Sequence, residues 1–315
     1  LENNAGDFIF CEQKERLGTG HAVKQAAPYL PDTGKTLVLY ADVPLITTAS
    51  LNKLIKSAQR KKISILTSKI TKPKGYGRII RDEKMNPTNI REEADASTQE
   101  KTINEIFTGI MIADNEFLKN GLKGLVRNNK AGEYYLTDLV EYASKRKLPI
   151  GSTEAKELEV FGANNKKELE GLYNAMVALN IDAAKKKGTF FKDTSTCYVE
   201  GVLKVGKDVS IGNNVTIKGN VVLGNDVSIG SNVILSNTKI GSNSTIKEFC
   251  SIEDSKISEN VEVGPFARLR NGAVLDNSAK IGNFVEVKKS RIGQNTKANH
   301  HAYIGDAEIG KKSNI

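Results

Sequence analysis

Two cationic side chains in the second half of the sequence, Arg270 and Lys288, lie 18 residues apart, and each directly follows an aliphatic residue. The surrounding segment repeats every six residues, so 18 residues make one coil of three hexads and bring both cations to one face, about 4.8 Å apart. Like charges that close repel each other unless an anion bridges them. The spacing therefore allows either a phosphate site or a solvated surface, while Arg268 and Glu286, at the same spacing, predict a salt bridge.

The same face of the repeat has a candidate base. Histidine is scarce in this chain, which has three in all, and His300 falls near the corner that leads into the strand of Ile304. Tyr303 directly precedes Ile304, so an imidazole and a phenol lie on or beside the face of the two cations. Histidine is the usual base at neutral pH, although a solvated loop histidine fits the same spacing. His301 points elsewhere, because adjacent residues of a strand do.

The first half has two further candidate segments. The apolar run 36–41 predicts a buried parallel strand, and Asp42 follows its carboxyl end, where open α/β sheets bind ligands and metals. A turn or a helix cap is the alternative role for Asp42. Gly18-Thr19-Gly20 precedes a helix predicted over 22–27, where backbone N–H groups can approach a phosphate or a base. An ordinary turn gives the same pattern, and His21 is best interpreted as a packing or capping residue.

A hexapeptide repeat must position the residues of the second half. From Val205 onward, aliphatic residues recur at steps of six with four steps of five, and glycine often follows them. This period is typical of short strands that turn corners around a narrow apolar core. We predict an all-β, left-handed parallel β-helix over residues 188–315.

The first half alternates strands with helices. Strands are predicted near 63–68, 77–80 and 106–112, and a helix over 137–147, which together indicate a mixed α/β domain over residues 1–164. Between the two domains, apolar residues recur at spacings of three and four over 165–187. That period predicts one long amphipathic linker helix.

Composition limits the function classes. The 46 Lys and Arg against 37 Asp and Glu give a net charge of +9, but the cations are scattered, which favours small phosphorylated ligands over nucleic acid. No apolar run approaches the roughly 18 residues of a membrane span. Three widely spaced cysteines indicate reduced thiols in a cytoplasm. The chain begins with Leu1 and ends within the repeat, so we expect both ends to be cut.

Several segments, in order along the chain, carry a resemblance to a known family. They are Gln13 with Leu17-Gly18-Thr19-Gly20-His21-Ala22, Tyr40-Ala41-Asp42-Val43-Pro44-Leu45, Gly75-Tyr76-Gly77-Arg78-Ile79, Gly132-Glu133-Tyr134-Tyr135-Leu136-Thr137-Asp138, Gly162-Ala163-Asn164-Asn165, Gly264-Pro265-Phe266-Ala267-Arg268-Leu269-Arg270, Gly282-Asn283-Phe284-Val285-Glu286-Val287-Lys288-Lys289 and His300 with Tyr303-Ile304-Gly305-Asp306-Ala307-Glu308-Ile309-Gly310. The whole set resembles the bacterial bifunctional N-acetylglucosamine-1-phosphate uridyltransferase/glucosamine-1-phosphate acetyltransferase. This resemblance implies that the first domain is a Rossmann-like α/β nucleotidyltransferase, incomplete at its N-terminus.

For the β-helix, the resemblance implies acetyl transfer from acetyl-CoA to glucosamine-1-phosphate. His300 would be the base, Arg270 and Lys288 would hold the sugar phosphate, and Tyr303 and Asn314 would orient the acceptor. It also implies a homotrimer formed through the β-helix.

For the first domain, the resemblance implies uridylyl transfer from UTP to N-acetylglucosamine-1-phosphate with release of pyrophosphate. Asp42 and Asn164 would hold Mg²⁺, which offsets charge in phosphoryl transfer. The remaining implied contacts are with the uracil end (Gln13, Gly18 and Thr19) and with the sugar side (Tyr40, Ala41, Gly77 and Glu92). The product, UDP-N-acetylglucosamine, would serve peptidoglycan and lipopolysaccharide synthesis and hence cell shape.

The chain departs from the family pattern at several points. Phe107 stands where the family usually has an Asn that touches the sugar, and Ala41 replaces a usual Gly. The family's opening glycine-rich loop would precede Leu1, and much of its acetyl-CoA surface would follow Ile315. We therefore expect the 315 residues alone to be poorly active in both reactions.

Two alternative functions remain open from the residues. One is a single-activity sugar-1-phosphate nucleotidyltransferase whose β-helix only oligomerises the protein, against which Arg270, Lys288, His300 and Tyr303 argue. The other is a non-catalytic scaffold, against which the Asp42/Asn164 pair argues.

Overall fold

A computed structural model describes residues 8–163 and 165–315. The chain divides at residue 172 into two compact units, which we call the first unit and the second unit. Within the described ranges, no helix combines the length and the apolar character needed to cross a membrane.

The first unit contains a sheet flanked by helices. Its strands are β1 (Lys35–Val38), β2 (Ile63–Lys69), β3 (Arg78–Arg81), β4 (Pro87–Arg91), β5 (Glu105–Asp114) and β6 (Ile150–Glu154). The helices are α1 (Thr19–Ala26), α2 (Thr48–Ser57), α3 (Asn115–Lys123), α4 (Asp138–Lys145) and α5 (Lys166–Lys185), the last of which contains the boundary between the units.

The ten-residue strand β5 organises this sheet. The strand order is β4-β3-β5-β2-β6, with β1 also paired to β5. Residues of β5 alternate between two apolar clusters: Ile106 and Ile110 pack with Leu54 of α2, whereas Met111 packs with Leu139 of α4. Both faces of the sheet are therefore covered by helices, as an almost wholly apolar strand requires.

One strand differs from its sequence prediction in extent and direction. The run 36–41 was expected to be a buried parallel strand, but β1 ends at Val38, is only half-buried and runs antiparallel to β5. Among the described strands of the first unit, only β2 and β6 pair in parallel. An apolar run predicts that a strand is buried, but the direction of its neighbour depends on chain connections that periodicity does not report.

The second unit is a parallel β-helix of short strands. They are β7 (Phe190–Phe191), β8 (Tyr198–Val205), β9 (Ser210–Ile211), β10 (Thr216–Leu223), β11 (Ser228–Ile229), β12 (Ile234–Ser236), β13 (Lys239–Ile240), β14 (Thr245–Ile246), β15 (Ser251–Glu253), β16 (Lys256–Ile257), β17 (Glu262–Val263), β18 (Arg268–Arg270), β19 (Val274–Leu275), β20 (Lys280–Asn283), β21 (Glu286–Lys288), β22 (Arg291–Ile292), β23 (Lys297–His300), β24 (Tyr303–Gly305) and β25 (Glu308–Ile309). The predicted β-helix is confirmed.

Three faces enclose the core of this β-helix. Face A consists of β12, β15, β18, β21 and β24, face B of β13, β16, β19, β22 and β25, and face C of β7, β9, β11, β14, β17, β20 and β23; β10 runs from face A to face B. On each strand of face A one residue points inward, such as Leu269, Val287 and Ile304. The corners are turned by residues with positive φ, such as Asn232 and Asn243, because asparagine tolerates that conformation.

Candidate functional site

A cleft of about 540 Å³ in the first unit collects residues from distant parts of the chain. Five residues implied by the family resemblance line it: Thr19, Tyr40, Asp42, Gly77 and Glu92. They come from the start of α1, the loop after β1, the loop before β3 and the position directly after β4. The sheet and its loops thus bring together side chains separated by more than 70 residues.

The glycine before α1 allows close backbone packing. Gly18 has φ +104°, and a Cβ there would lie 2.7 Å from the Tyr134 carbonyl oxygen. The next residue, Thr19, accepts a hydrogen bond from the Leu136 N–H at 3.1 Å through its hydroxyl oxygen. The tight turn that the motif predicts is therefore built against the 134–136 segment, and it aims Thr19 into the cleft.

Gln13 and His21 lie beside this turn, although neither lines the cleft. The Gln13 amide donates to the Gly18 carbonyl at 3.2 Å and lies 3.1 Å from Nδ1 of His21. The other ring nitrogen of His21 lies 3.1 Å from Gln25, and the ring stacks against Tyr134. His21 is thus held by neighbours on both ring nitrogens.

Tyr40 supplies a neutral phenol to the cleft. Burial raises the pKa of Tyr40 to about 12, even though a hydrogen bond with the Thr19 side chain opposes that shift. Its ring packs against Gly109, where a Cβ would lie 2.5 Å from the ring. At neutral pH this hydroxyl remains a hydrogen-bond donor.

Glu92 supplies a carboxyl group to the cleft. It accepts a hydrogen bond from the Thr137 hydroxyl at 2.9 Å, and burial raises its pKa above the usual value. Gly77 lies beside it, since a Cβ on Gly77 would approach Ile90 at 2.8 Å and the Glu92 carboxylate at 3.4 Å. Only a glycine leaves this part of the wall open.

Asp42 is an exposed carboxylate at the edge of the cleft. Its backbone carbonyl accepts a hydrogen bond from the Ala163 N–H at 3.2 Å. The second implied metal ligand, Asn164, lies outside the described residues. Across the described ranges, no three His, Cys, Asp or Glu side chains cluster as a metal site. A single exposed carboxylate nevertheless fits Mg²⁺, which proteins usually hold through one or two carboxylates together with substrate phosphates.

Other lining residues were not found by sequence reasoning as members of the site. They include Lys74, Tyr76, Thr108, Gly109, Phe161 and Gly162. The glycines around Tyr76 were the available signal, since they mark a loop beside the implied Gly77. Phe107 also lines the cleft, and its 5% exposure means that the ring packs mainly into the core. Ala41 is exposed and does not line the cleft.

On face A of the second unit, the two cations implied as a phosphate site are neighbours. Arg270 of β18 pairs in register with Lys288 of β21. Arg270 donates to Glu286 at 2.6 Å, and Lys288 lies 3.2 Å from Asp306. Each cation thus has a carboxylate partner, which reduces the repulsion that the sequence spacing implied. The salt bridge predicted between Arg268 and Glu286 is wrong, because Glu286 turns to Arg270.

Tyr303 extends along face A towards the two cations. It pairs in register with Glu286, and its ring lies over Gly305, where a Cβ would be 2.5 Å from the phenol oxygen. Gly305 in turn pairs with Lys288. The phenol group of Tyr303 therefore lies close to Lys288.

His300 ends β23 at the corner between face C and face A, and its side chain is exposed. His301 occupies the corner itself with φ +47°, and its ring stacks on Phe284 at 5.1 Å. Asn314 lies one coil further on face C, where it accepts a hydrogen bond from Asn299 at 3.0 Å. Thus Arg270, Lys288 and Tyr303 share face A, with His300 at its edge and Asn314 around the corner.

The fold and these two sites define a class: a nucleotidyltransferase domain followed by a hexapeptide-type β-helix. Comparison with known families agrees, since residues 3–158 match the nucleotidyl transferase family and residues 194–280 match the GMPPB C-terminal domain. The predicted α/β nucleotidyltransferase fold is therefore confirmed.

Relatives narrow the class further. The chain is 42% identical over 310 residues to the bifunctional protein GlmU of Idiomarina loihiensis, a match that covers 98% of this chain and 68% of that protein. It is 43% identical over 311 residues to the bifunctional protein GlmU of Nitrosomonas europaea, again over 98% of this chain and 68% of that protein. The chain belongs to the bifunctional GlmU family.

Family membership confirms the prediction of a bifunctional enzyme that makes UDP-N-acetylglucosamine, and the single-activity alternative is not favoured. Nucleotide-sugar chemistry on small phosphorylated substrates follows from the same membership.

The three cysteines, Cys11, Cys197 and Cys250, are free thiols.

Proposed function

We propose that the cleft of the first unit transfers a uridylyl group from UTP to N-acetylglucosamine-1-phosphate, and that face A of the second unit supports acetyl transfer to glucosamine-1-phosphate. The observation that carries the first assignment is the convergence of Thr19, Tyr40, Asp42, Gly77 and Glu92 on one cleft in a member of this family.

In uridylyl transfer, a phosphate oxygen of the sugar attacks the α-phosphorus of UTP, and pyrophosphate leaves. Gln13, Gly18 and Thr19 bind the uracil end, and this role is supported by the tight turn that they form. Tyr40, Gly77 and Glu92 form the sugar side of the cleft, and Ala41 adjoins it between Tyr40 and Asp42. Asp42 and Asn164 would hold Mg²⁺, which when bound offsets the negative charge of the reacting phosphates.

In acetyl transfer, the amine of glucosamine-1-phosphate attacks the thioester carbonyl of acetyl-CoA and His300 accepts the proton from the amine. The C–S bond then breaks, and the departing thiolate takes up that proton, so that coenzyme A leaves as the thiol. Arg270 and Lys288 bind the sugar phosphate, for which their register on neighbouring strands is suitable. Tyr303 and Asn314 orient the acceptor. The exposed position of His300 at the edge of this face supports its role as base.

The cellular setting belongs to the same proposal. UTP and acetyl-CoA are co-substrates, the partners are small phosphorylated sugars and nucleotides rather than nucleic acid, and the location is the cytoplasm. The 1–164 and 188–315 segments act as the two catalytic domains, joined by a linker helix over 165–187. A homotrimer formed through the β-helix is compatible with its long exposed faces.

A pair of variants in the intact gene product tests both assignments. Thiol release from acetyl-CoA and pyrophosphate release from UTP are measured for wild type, His300→Ala and Asp42→Asn. His300→Ala should lose acetyl transfer by roughly 10²–10⁴-fold and keep uridylyl transfer, because a general base contributes about that much. Asp42→Asn should lose uridylyl transfer and keep acetyl transfer.

The neighbouring histidine provides the matched control. His301→Asn keeps a residue suited to the positive φ of that corner. This variant should leave uridylyl transfer unchanged and should retain most of the acetyl-transfer activity. Acetyl transfer that survives His300→Ala would remove His300 from the role of base. Loss of both activities in either variant would contradict two separate sites.

A further inference from the structure

Four consecutive residues, Lys74 to Gly77, form one edge of the uridylyl-transfer cleft. They lie in the loop before β3, and no residue of this loop belongs to a strand or helix. Gly75 has φ +91°, and a Cβ there would meet nothing within 4 Å, so packing does not hold this residue in place. At Gly75 the position of the loop therefore depends on hydrogen bonds, whereas Tyr76 also packs against an apolar cluster.

Arg78, the residue that follows this loop, is a buried cation with an exposure of 1%. Its guanidinium donates to the Tyr76 carbonyl and, at 2.7 Å, to the Glu93 carboxylate. Its Nε is buried without a hydrogen-bond partner. Because burying a charge is unfavourable unless it is paired, Glu93 supplies the compensation that keeps Arg78 at this place.

Glu93 completes a clamp on the loop. The carboxylate oxygen that accepts from Arg78 also accepts from the Gly75 N–H at 3.2 Å. Arg78 thus fixes the carbonyl of Tyr76, while Glu93 fixes the amide of Gly75. The adjacent Glu92 points the other way, into the cleft, where it bonds to Thr137.

The clamped loop reaches the opposite wall of the cleft. Burial raises the pKa of the Tyr76 phenol, and the nearby Gly162 backbone opposes that shift, so Tyr76 lies close to Gly162. Gly162 is close to Asp42, since a Cβ on Gly162 would lie 3.2 Å from the Asp42 carbonyl oxygen. The loop therefore connects the sugar side of the cleft, at Gly77, with the edge that carries Asp42.

We propose that the Arg78–Glu93 ion pair is a positioning device for uridylyl transfer, which holds the Lys74–Gly77 loop against the sugar-1-phosphate. Neither residue lines the cleft, so both act through the loop. The inference rests on the proposed uridylyl transfer at this cleft. The clamp should affect binding of the sugar-1-phosphate rather than of UTP, because the loop contributes to the sugar side of the cleft and not to the turn at Gly18.

Steady-state kinetics of Glu93→Gln in the intact protein test this proposal. Glutamine keeps the size and an acceptor oxygen but loses the charge that compensates Arg78. We expect the KM for N-acetylglucosamine-1-phosphate to rise roughly tenfold or more, since displacing a positioning group by about 1 Å costs up to 10²-fold. The KM for UTP and the rate of acetyl transfer should remain at wild-type values.

Arg78→Lys is the second variant. Lysine keeps the charge, but its single ammonium group cannot reproduce the fork of the guanidinium. It should therefore show the same selective rise in KM for the sugar phosphate.

A second ion pair of the same strand is the matched control. Arg81 of β3 donates to Glu105 at 2.6 Å, with side-chain exposures of 17% and 13%, and neither residue lines the cleft or forms an ion pair with the Lys74–Gly77 loop. Glu105→Gln removes a comparable charge from a comparable pair. Its KM for the sugar phosphate should stay at the wild-type value.

Three results would overturn the inference. Wild-type kinetics in Glu93→Gln would mean that the loop does not need the clamp. An equal rise in KM for UTP and for the sugar phosphate, or an equal defect in Glu105→Gln, would mean that the ion pair only stabilises the fold. Absence of uridylyl transfer in the wild-type protein would instead remove the proposed function, and the clamp's role with it.

Discussion

The two units position their candidate residues in opposite ways. On the β-helix, Arg270 and Lys288 are one coil apart and lie side by side, because a coil there is 17 or 18 residues long. In the first unit, Thr19 and Glu92 line the same cleft although no periodicity connects them. In a repeat, sequence separation converts directly into distance, whereas in a mixed sheet the distance depends on how loops connect the strands.

Substitutions should therefore act over different distances in the two units. A coil of the β-helix contacts chiefly the coils on either side, so a change on one face should act locally. The cleft of the first unit is assembled from several loops, so a change in one loop should affect residues that come from another.

The largest effect should come from the interior of the β-helix. Leu269→Ala, at a residue with 0% exposure, should lower the free energy of unfolding by about 2–5 kcal/mol. Phe284 stacks between Phe266 and His301 on the outside, and Phe284→Ala should cost only about 0.5–1.5 kcal/mol. Urea denaturation measures both. Equal losses would show that the outer aromatic column supports the β-helix as much as its core does.

Acetyl-acceptor binding gives the next largest effect. Arg270→Ala should raise the KM for glucosamine-1-phosphate roughly 10–100-fold, because a hydrogen bond to a charged group contributes about 1.5–3 kcal/mol. Arg291 on face B has a comparable ion pair, with Asp276 at 3.0 Å. Arg291→Ala should leave this KM unchanged, and a similar rise in both variants would contradict the assignment of the phosphate to face A.

A smaller effect is expected at the turn before α1. Gly18→Ala introduces a Cβ that lies 2.7 Å from the Tyr134 carbonyl oxygen, at a φ of +104°. Uridylyl transfer should fall roughly tenfold, because such strain costs about 1–3 kcal/mol and is relieved by moving the turn. Gly34→Ala has a similar φ of +93°, but its nearest neighbour is 3.8 Å away. If Gly34→Ala reduces uridylyl transfer as much, strain alone rather than the place of the turn explains the loss.

The smallest effect concerns pH. Burial, followed by the charges of Glu141, Glu92 and Asp95, raises the pKa of Asp138 to about 6. The folded state therefore binds this proton more tightly than the unfolded chain, so the contribution of Asp138 to stability is complete below about pH 4 and is lost as the pH rises through about 6.

Asp138→Asn should flatten this dependence and raise the free energy of unfolding at pH 7.5 by about 1 kcal/mol relative to wild type, allowing for solvent screening. Urea denaturation at pH 4.5 and 7.5 measures the difference. Glu141→Gln, which removes one of the neighbouring charges, should show an intermediate slope. A wild-type slope in Asp138→Asn would contradict the raised pKa.

Local sequence patterns predicted much of each unit. The helix predicted over 165–187 is α5, Lys166–Lys185, but its buried residues are Leu172, Val177, Ile181 and Ala184, whereas Leu169 and Leu179 of the predicted apolar stripe are exposed. Strand β5 was predicted to within two residues at each end. In contrast, β4 and β6 were not predicted, since Pro87–Arg91 and Ile150–Glu154 lack a clear alternation of apolar and polar residues.

By itself, the sequence determined the β-helix, the identity of its inward-facing residues and the adjacency of Arg270 and Lys288. The reason is that a six-residue period places residues one coil apart in sequence on neighbouring strands of the same face. Its motifs also indicated the family. Only the tertiary structure decided the antiparallel direction of β1, the pairing of Glu286 with Arg270 rather than Arg268, and the clamp of Arg78 and Glu93 on the Lys74–Gly77 loop. Such contacts depend on side-chain direction and on chain connections, and neither is encoded in the spacing of residue types.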